Sequence, residues 1–318
     1  MIVLWRITTF CNLACGFCAY DRRLPVERMH VDYAEVERFS TLLGAYRRAS
    51  GTDVLLSWLG GEPMLWPGVL DLSQGLRERH GMRVSITTNG TTLWRKGAAK
   101  AMAAAFDEVT VSVDALAGAH EQLRGWPRGW ARLADGVRRL REEGDELRLR
   151  ANVVLMRDTL SSFAALCELL ADWGMDEITF NQLGGRDRPE FHPSHALRLS
   201  DVEELRSLIP SLVARMAARG VRLCANDTYL ERFAATASGR AVAVHDCELY
   251  RPTIFIDEQG RIAPCSFTLD SHGIPTHELR TVHDVALLRA RLAARRRVRP
   301  AAACGDCPST QVFAKFGT

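Results

Sequence analysis

The sequence predicts an α/β protein built on a parallel sheet, followed by a smaller carboxyl-terminal unit. Short apolar segments rich in Val, Ile and Thr alternate with amphipathic segments up to about residue 183, as in consecutive β–α–β units. The alternation stops beyond about residue 240. Hydrophobic residues make up 47% of the 318 residues and charged residues 25%, which is typical of a folded protein and not of a disordered one.

The first part of the chain is predicted to contain six strands and six helices. The strands are apolar, as a buried parallel sheet requires, and lie at residues 2–8, 53–59, 83–88, 108–114, 147–156 and 177–183. The helices carry apolar residues three and four positions apart, at residues 33–48, 67–80, 93–104, 128–143, 160–173 and 200–219. Ser200 and Gly220 are the predicted cap and stop of the last helix.

The carboxyl-terminal unit is predicted to be a hairpin followed by one helix. Residues 253–257 and 261–263 flank a turn at Glu258-Gln259-Gly260, and the helix lies at 282–297. The expected division of the chain is a core at residues 1–220, a connecting segment at 221–240 and the carboxyl-terminal unit at 241–318.

Charge and hydropathy give no indication of nucleic acid or membrane as partners. The formal net charge is only +3. No apolar run approaches the roughly 20 residues that span a bilayer. Met1 leads directly into a strand-like segment, without the basic and apolar regions of a secretory signal. We therefore expect a cytoplasmic protein.

Nine cysteines are the most informative residues. In a reducing compartment they indicate metal binding or catalysis more than structural disulfides. They form one group near each end of the chain and leave two single residues: Cys11, Cys15 and Cys18; Cys247, Cys265, Cys304 and Cys307; and Cys167 and Cys224.

The first group places three thiols within eight residues, in the loop after the first predicted strand. Three thiolates cannot complete a four-sulfur site, but they can hold a [4Fe–4S] cluster with one iron left for a non-protein ligand. Chance clustering and a zinc site completed by His30 are the alternatives.

The spacing Cys11-x3-Cys15-x2-Cys18, with the aromatic Phe17 before the last cysteine, resembles the signature of the radical S-adenosylmethionine (SAM) superfamily. Further motifs that resemble the family's follow successive predicted strands: Gly60-Gly61-Glu62-Pro63, Thr87-Thr88-Asn89-Gly90, Ser112-Val113-Asp114, and His120 to Gly125. Each segment taken alone is an ordinary turn or helix cap, whereas their joint order is specific. Because the carboxyl ends of parallel strands meet at one rim, we expect these motifs to build one site.

The resemblance implies a partial (β/α)6 TIM-like barrel that cleaves SAM reductively to a 5′-deoxyadenosyl radical, which abstracts a hydrogen atom from the substrate. It implies that the Gly-Gly-Glu motif binds the SAM amino group, that polar residues after the fourth strand meet the ribose, and that Arg124 binds the carboxylate. The residues so implied in cofactor binding are Phe17, Gly60, Gly61, Glu62, Asn89, Ser112, Asp114, Arg124, Asn152 and Val154.

The second cysteine group offers four thiolates from separate segments. On coordination chemistry alone, a structural zinc ion and a [4Fe–4S] cluster are equally good interpretations. The pattern Gly260-x4-Cys265, followed at a distance by Cys304-x2-Cys307, resembles the SPASM extension of radical SAM enzymes or its shortened form, twitch. No cysteine follows Cys307, so the resemblance implies one fully ligated auxiliary [4Fe–4S] cluster that conducts or accepts electrons.

The remaining candidates concern the substrate. Cys167 is interpreted as a core residue, and Cys224 as a core residue or, alternatively, the hydrogen-atom donor of an epimerase. Substrate contacts are expected from Asn181, Gln182, the long loop 184–199 and the segment 226–229. The arginine-rich run 289–299 is interpreted as a solvated helix face, with an acidic peptide or partner as the alternative.

The predicted function is a radical SAM oxidoreductase acting on a small metabolite such as an aminocyclitol or sugar, with flavodoxin or ferredoxin as electron donor. The alternative is a maturase that cross-links or epimerises a ribosomal peptide with a separate leader-binding partner. A non-catalytic iron–sulfur or zinc protein is a third hypothesis, which the Gly-Gly-Glu motif, Ser112, Asp114 and Arg124 argue against.

Overall fold

A computed structural model describes residues 1–185, 187–247 and 253–313. Its strands are β1 Ile2–Thr8, β2 Leu55–Gly60, β3 Arg83–Thr88, β4 Glu108–Ser112, β5 Arg148–Leu155, β6 Glu177–Gln182, β7 Arg222–Cys224, β8 Thr253–Ile256, β9 Arg261–Ala263 and β10 Ile274–Pro275. Its α-helices are α1 Tyr33–Ser50, α2 Val69–His80, α3 Ala98–Ala105, α4 Ala117–Arg124, α5 Trp130–Glu143, α6 Arg157–Leu160, α7 Phe163–Asp172, α8 His192–His195, α9 Leu199–Ala218, α10 Asp227–Ala237, α11 Leu269–His272 and α12 Val282–Val298. Residue 186 of the predicted loop 184–199, and residues 248–252 and 314–318 of the predicted carboxyl-terminal unit, lie outside the described ranges.

The strands form one sheet in the order β10-β9-β8-β1-β2-β3-β4-β5-β6-β7. Neighbours from β8 through β7 in this order are parallel, whereas β9 and β10 add antiparallel. The order is linear, so within the described ranges the sheet does not close. The predicted α/β class and partial barrel are confirmed. β7 adds a parallel strand beside β6, beyond the six strands expected in the core, and β8 adds another beside β1.

The carboxyl-terminal hairpin belongs to the same sheet as the core. β8 pairs with β1 in parallel, with Ile2 opposite Thr253 and Trp5 opposite Ile256. β1 therefore lies between β2 and β8, and the loop that follows β1 carries the first cysteine group. The sheet thus brings the two cysteine-bearing parts of the chain to neighbouring strands.

The helices pack on the apolar face of the sheet. Alternate strand residues, such as Trp5 on β1 and Trp58 on β2, are fully buried there. On α1, Phe39 makes an edge-to-face contact with Trp5 at a centroid distance of 5.7 Å. Asp32 caps this helix by accepting a hydrogen bond from the backbone N–H of Glu35.

The opposite, inner face of the sheet is polar over most of its width. Because side chains alternate along a strand, the residues between the core positions face inward. Hydroxyl and amide side chains predominate at mid-height: Ser57, Ser85, Thr110, Asn152 and Thr179. Only toward β8 and β9 does this face become apolar, where Phe255, Ala263 and Leu269 pack together with Leu4 and Leu59 against them.

Two helices of eight or more residues were not predicted, α4 and α10, in addition to the four-residue helices α8 and α11. α4 has eight residues, with Gly118 near its start, which is too short for a clear helical periodicity. α10 begins at Asp227, in the segment 226–229 that was interpreted as a polar substrate-binding segment. None of the described helices is long and apolar enough to cross a membrane.

Candidate active site

Cys11, Cys15 and Cys18 lie in the long loop between β1 and α1. Burial raises the pKa of Cys11 and of Cys18, and it raises the pKa of Cys15 to about 12. Without a metal these thiols are therefore protonated at neutral pH. The backbone N–H of Tyr20 donates to Cys18 Sγ at 3.4 Å.

The alternative zinc ligand, His30, stacks on the ring of Phe10 with a centroid distance of 4.5 Å. Across the described ranges, no three His, Cys, Asp or Glu side chains are grouped as the ligands of a metal ion.

The two glycines after β2 allow close contact with the backbone of the cysteine loop. A Cβ on Gly60 would lie 2.2 Å from the Thr8 carbonyl oxygen, and a Cβ on Gly61 would lie 2.2 Å from the Phe10 carbonyl oxygen. The backbone N–H groups of Gly61 and Glu62 donate to those same oxygens, at 2.9 and 2.8 Å. The glycines were expected to allow close approach to a ligand, whereas the described contact is with the cysteine loop itself.

Glu62 is fully buried and joins the loops after β2 and β3. Its carboxylate accepts hydrogen bonds from Met64 N at 3.1 Å, Thr88 Oγ1 at 2.8 Å and Asn89 N at 2.7 Å. These contacts occupy most of the roughly four acceptor positions of a carboxylate. Burial raises the pKa of Glu62 to about 7 despite them. Glu62 therefore fixes this loop, and its predicted role as acceptor for the SAM ammonium stays a prediction.

Asn89 connects the loop after β3 with the cysteine loop. Its Nδ2 donates to Asn12 Oδ1 at 2.9 Å and lies 3.8 Å from Cys11 Sγ. Thr91 donates to Asn89 Oδ1 from both its backbone N–H and its hydroxyl. Asn89 thus supports the position of Cys11, and its predicted contact with SAM stays a prediction.

Asp114 and Arg124 form a buried ion pair beside the cysteine loop. Arg124 Nε lies 2.6 Å from Asp114 Oδ2, and the other carboxylate oxygen accepts from Val154 N at 2.8 Å. Burial alone would lower the pKa of Arg124, but Asp114 outweighs it and raises the pKa. Asp114 is 0% exposed. It therefore positions Arg124 and β5, and its predicted contact with SAM stays a prediction.

Arg124 reaches the residues of the cysteine motif. Its guanidinium carbon lies 5.5 Å from the centroid of the Phe17 ring. Its backbone oxygen accepts from Ala14 N at 3.2 Å and from Cys15 Sγ at 3.8 Å. The chain turns away at Gly125, whose positive φ of 59° ends α4 where a Cβ would crowd Ala14.

The ends of β4, β5 and β6 carry the remaining predicted residues. Ser112, paired in register with Asn152, is partly exposed and is the better candidate for a ribose contact than Asp114. Asn152 Oδ1 accepts from Thr179 Oγ1 at 3.0 Å and from Asn181 Nδ2 at 2.9 Å. Val154 is held by its bond to Asp114.

Several predicted substrate residues instead make internal contacts. Gln182 Nε2 donates to Thr236 Oγ1 at 2.8 Å. Asn226 caps α10, and the buried Tyr229 donates its hydroxyl hydrogen to the Phe180 carbonyl at 2.7 Å. Asn226 and Tyr229 therefore support the fold. Contact of the segment 226–229 with a substrate stays a prediction.

The loop 184–199 does lie against the cysteine loop. Phe191 is 6.3 Å from Phe17 between ring centroids, and a Cβ on Gly16 would lie 3.2 Å from Phe191. Arg188 forms an ion pair with the buried Asp21 at 3.1 Å. Hydrogen bonds from Arg23 and Arg188 hold the pKa of Asp21 well below its usual range.

Cys224 lies at mid-height on the inner face of the sheet, opposite Thr179. Its thiol donates to Glu177 Oε1 at 3.1 Å, at the amino end of β6. It pairs in register with Thr179, three residues or about 10 Å below the end of that strand. Burial and this hydrogen bond raise the pKa of Cys224 to about 12. Its burial agrees with the core interpretation, and its alternative role as a hydrogen-atom donor stays a prediction. Cys167 is likewise fully buried, on α7.

The second cysteine group surrounds one recess. Its lining includes Arg296, His272 and Thr268, and all four members of the group: Cys247, Cys265, Cys304 and Cys307. Arg296 lies within the run 289–299 that was interpreted as solvated, yet it is buried. The burial of Arg296 could have been predicted from the sequence, because it continues the helical spacing of the buried residues of α12: Val285, Leu288, Leu292 and Arg296.

Fold and site together define an open α/β barrel whose rim carries a three-cysteine loop, a buried arginine and a glycine-containing loop. The radical SAM superfamily matches residues 5–170, and the chain belongs to this superfamily. Membership implies SAM and a [4Fe–4S] cluster as cofactors, and an enzyme that uses radical chemistry. Three cysteine thiols in one loop are the donor set that such a cluster takes when one iron is left for a non-protein ligand.

Sequence relatives are found among enzymes of cofactor synthesis. The Fe-coproporphyrin III synthase of Methanosarcina barkeri is 26% identical over 219 residues, covering 69% of this chain and 53% of the relative. Molybdenum cofactor biosynthesis protein 1 of Bos taurus is 29% identical over 167 residues, covering 51% of this chain and 26% of the relative. The chain spans about half or less of the length of these relatives.

Solved structures extend the likeness of fold to nearly the whole chain. SuiB of Streptococcus suis, bound to the precursor peptide SuiA, has a TM-score of 0.68 at 17% identity, covering 99% of this chain and 70% of that one. The enzyme anSMEcpe with bound AdoMet has a TM-score of 0.68 at 15% identity, covering 96% of this chain and 88% of that one.

Proposed function

We propose that this protein is an oxidising radical SAM enzyme that holds two [4Fe–4S] clusters and acts on a small polar metabolite. The observation that carries the proposal is the placement of four cysteines around one recess, in a unit whose first strand pairs with β1. A second redox centre close to β1 and its cysteine loop provides an acceptor for an electron from the substrate radical.

In this proposal Cys11, Cys15 and Cys18 hold the first cluster. When bound, that cluster supplies one electron to SAM, whose cleavage yields methionine and a 5′-deoxyadenosyl radical that removes a hydrogen atom from the substrate. Arg124 binds the SAM carboxylate, and Ser112, Asn152, Val154 and Phe17 contact its nucleoside. Asp114, Glu62 and Asn89 position these groups through the hydrogen bonds described above.

The loop that carries Phe191 limits access of water to the reacting carbon, since Phe191 lies beside Phe17 at the rim. Holding the substrate carbon close to the 5′ carbon is the main positional demand on the chain.

Cys247, Cys265, Cys304 and Cys307 hold the auxiliary cluster in full. It supplies an acceptor for one electron, so that a substrate radical that also loses a proton leaves as an oxidised product. Four protein thiolates leave no iron for the substrate, which supports an electron-transfer role over a substrate-binding one.

A polar metabolite, such as an aminocyclitol or sugar, is supported by the inner face of the sheet. Hydroxyl and amide groups line it at mid-height, including Ser57, Ser85, Thr110 and Thr179. Such groups form hydrogen bonds with a hydroxylated ligand. Flavodoxin or ferredoxin is the proposed source of the electron.

Peptide maturation is the second candidate, and the likeness in fold to SuiB with its bound precursor peptide favours it. Deuterated substrates separate the two classes. Transfer of deuterium into 5′-deoxyadenosine from aminocyclitols or sugars supports the first proposal, whereas transfer only from a ribosomal peptide encoded beside the enzyme replaces it with the second.

The test of the whole proposal is iron content and SAM cleavage after anaerobic reconstitution. We expect about eight irons per chain, and about four when Cys11, Cys15 and Cys18 are changed to alanine. Cys167→Ala is the matched control and should keep about eight. With dithionite and SAM, the parent and the control should form 5′-deoxyadenosine, and the triple variant should not. A fully loaded parent that forms none contradicts the proposal.

A further inference from the structure

Arg296 makes the shortest described contact to a sulfur atom of the second group. Its Nη1 donates to Cys247 Sγ at 2.9 Å, and its Nη2 donates to the Val244 carbonyl oxygen at 2.8 Å. Both Arg296 and Cys247 are 8% exposed. The guanidinium thus bridges the cysteine and the backbone three residues before it, which fixes the direction from which Cys247 faces the recess.

A buried guanidinium requires a nearby negative charge, because burying an unpaired ion is costly. The carboxylate described beside Arg296 is that of Asp246, at 4.0 Å, and this side chain is 66% exposed. An exposed carboxylate at that distance contributes little. Cys247 Sγ is closer, at 2.9 Å, and buried, so it is the nearest described group that can carry the compensating charge when it ligates iron.

Building on the proposed function, we propose that Arg296 is a positioning residue of the auxiliary site. It orients Cys247 Sγ toward the recess and, by donating a charged hydrogen bond to this ligating sulfur, raises the reduction potential of the auxiliary cluster. A nearby cation and an N–H donor stabilise the reduced state, which carries one more negative charge. The auxiliary cluster then accepts an electron more readily than it would with water or an apolar group at this position.

Burial raises the pKa of Cys11, Cys15 and Cys18, and the charge of Arg124 partly offsets this effect, but no described hydrogen bond joins a charged donor to a sulfur of the first cysteine group. Its buried arginine, Arg124, is paired with the carboxylate of Asp114 at 2.6 Å. Its Asn89 contact is a neutral one, with Nδ2 at 3.8 Å from Cys11 Sγ. The difference orders the two clusters, with the auxiliary one higher in potential, and so favours electron flow away from the substrate.

The experiment uses the full chain with Cys11, Cys15 and Cys18 changed to alanine, so that only the second group can hold iron. Arg296→Met is compared with Arg297→Met, which removes the same charge from an exposed position on the same helix. Both are reconstituted anaerobically, assayed for iron, and titrated by EPR against redox mediators.

At the potential where the Arg296-intact protein is half reduced, we expect Arg296→Met to lower the reduced-to-oxidised ratio about tenfold, which is about 59 mV for a one-electron couple. Arg297→Met should leave the ratio nearly unchanged. Equal ratios in the Arg296→Met and Arg297→Met proteins, with about four irons in each, overturn the role of Arg296 and leave the two-cluster proposal standing. Zinc, or no iron, in the Arg296-intact protein overturns both.

Arg296→Lys and Arg296→Gln keep the test decisive if the methionine variant does not hold iron. Lysine retains the charge and glutamine retains only a neutral donor, so we expect a higher potential for Arg296→Lys than for Arg296→Gln. The same potential for these two variants overturns the proposal.

Discussion

The two cysteine sites differ in how their buried arginines are neutralised. Beside the first group, Arg124 is paired with the fully buried carboxylate of Asp114. Beside the second group, Arg296 contacts Cys247 Sγ, and its nearest described carboxylate is exposed. A carboxylate compensates the cation within the protein, whereas a cysteine compensates it only as a thiolate. The side chain of Arg124 thus hydrogen-bonds to a carboxylate, whereas that of Arg296 hydrogen-bonds to a cysteine sulfur.

The two sites also differ in how tightly their loops are packed. The first cysteine loop lies against Gly60 and Gly61 with no space for a Cβ. In the second group, Gly305 lies between Cys304 and Cys307, and a Cβ there would be 3.3 Å from its nearest neighbour, the Ala302 carbonyl oxygen. The first cysteine loop is therefore packed tightly against the barrel, whereas the turn at Gly305 has space around it.

The largest expected effect comes from Asp114→Asn, which would leave Arg124 buried without a carboxylate. Breaking a buried ion pair costs about 3–5 kcal/mol, so the free energy of unfolding of the metal-free protein should fall by about this amount. Asp135→Asn, which removes an exposed partner of Arg139, should cost about 0–1 kcal/mol. Urea denaturation measures both. Similar losses for the two variants would mean that Asp114 is no more important than a surface carboxylate.

A second prediction concerns the pH dependence of the first site, where two buried groups act in opposite directions. Burial raises the pKa of Glu62 from 4.5 to about 7, so its contribution is present at low pH and is lost as pH rises through about 7. Burial lowers the pKa of His120 from 6.5 to about 4, so its contribution is present above pH 6.5 and is lost as pH falls through about 4. Each displacement corresponds to about 3 kcal/mol.

The two contributions should therefore offset each other between about pH 4.5 and 6.5. Relative to the parent, Glu62→Gln should make stability rise more steeply with pH in this range. His120→Asn, which keeps an acceptor for Asp114 N, should make stability fall with pH. The free energy of unfolding of metal-free protein, measured in urea at a series of pH values, tests both slopes. Unchanged slopes in both variants would show that neither group titrates in this range.

The smallest expected effect compares the two glycines. Gly61→Ala must displace the Phe10 carbonyl, and overpacking of this kind costs about 1–3 kcal/mol. It should also reduce the iron held by the first group. The φ of Gly305 is −70°, which alanine adopts readily, and a Cβ there would meet a single neighbouring atom. Gly305→Ala should therefore change stability by less than about 1 kcal/mol and leave the iron content intact. Equal iron loss in both variants would show that the two cysteine loops do not differ in how tightly they are packed.

The order of strands and helices could be predicted because it depends on local periodicity. The apolar segments at residues 2–8, 83–88 and 177–183 agree with β1, β3 and β6 to within one residue. α4 and α10 were missed because one is short and the other begins in a segment whose polar residues resemble a loop. The register between β8 and β1 was not predictable, since it joins residues about 250 positions apart.

By itself, the sequence determined the donor atoms and the motif order, because both depend on residue type and spacing along the chain. Tertiary structure alone decided what each motif residue contacts. It pairs Glu62 with Asn89 and Asp114 with Arg124. It also brings the thiol of Cys224 to Glu177 and places Arg296 against Cys247. The physical reason is that burial and pairing depend on neighbours that are distant in sequence, and these decide whether a charged side chain serves a ligand or the protein.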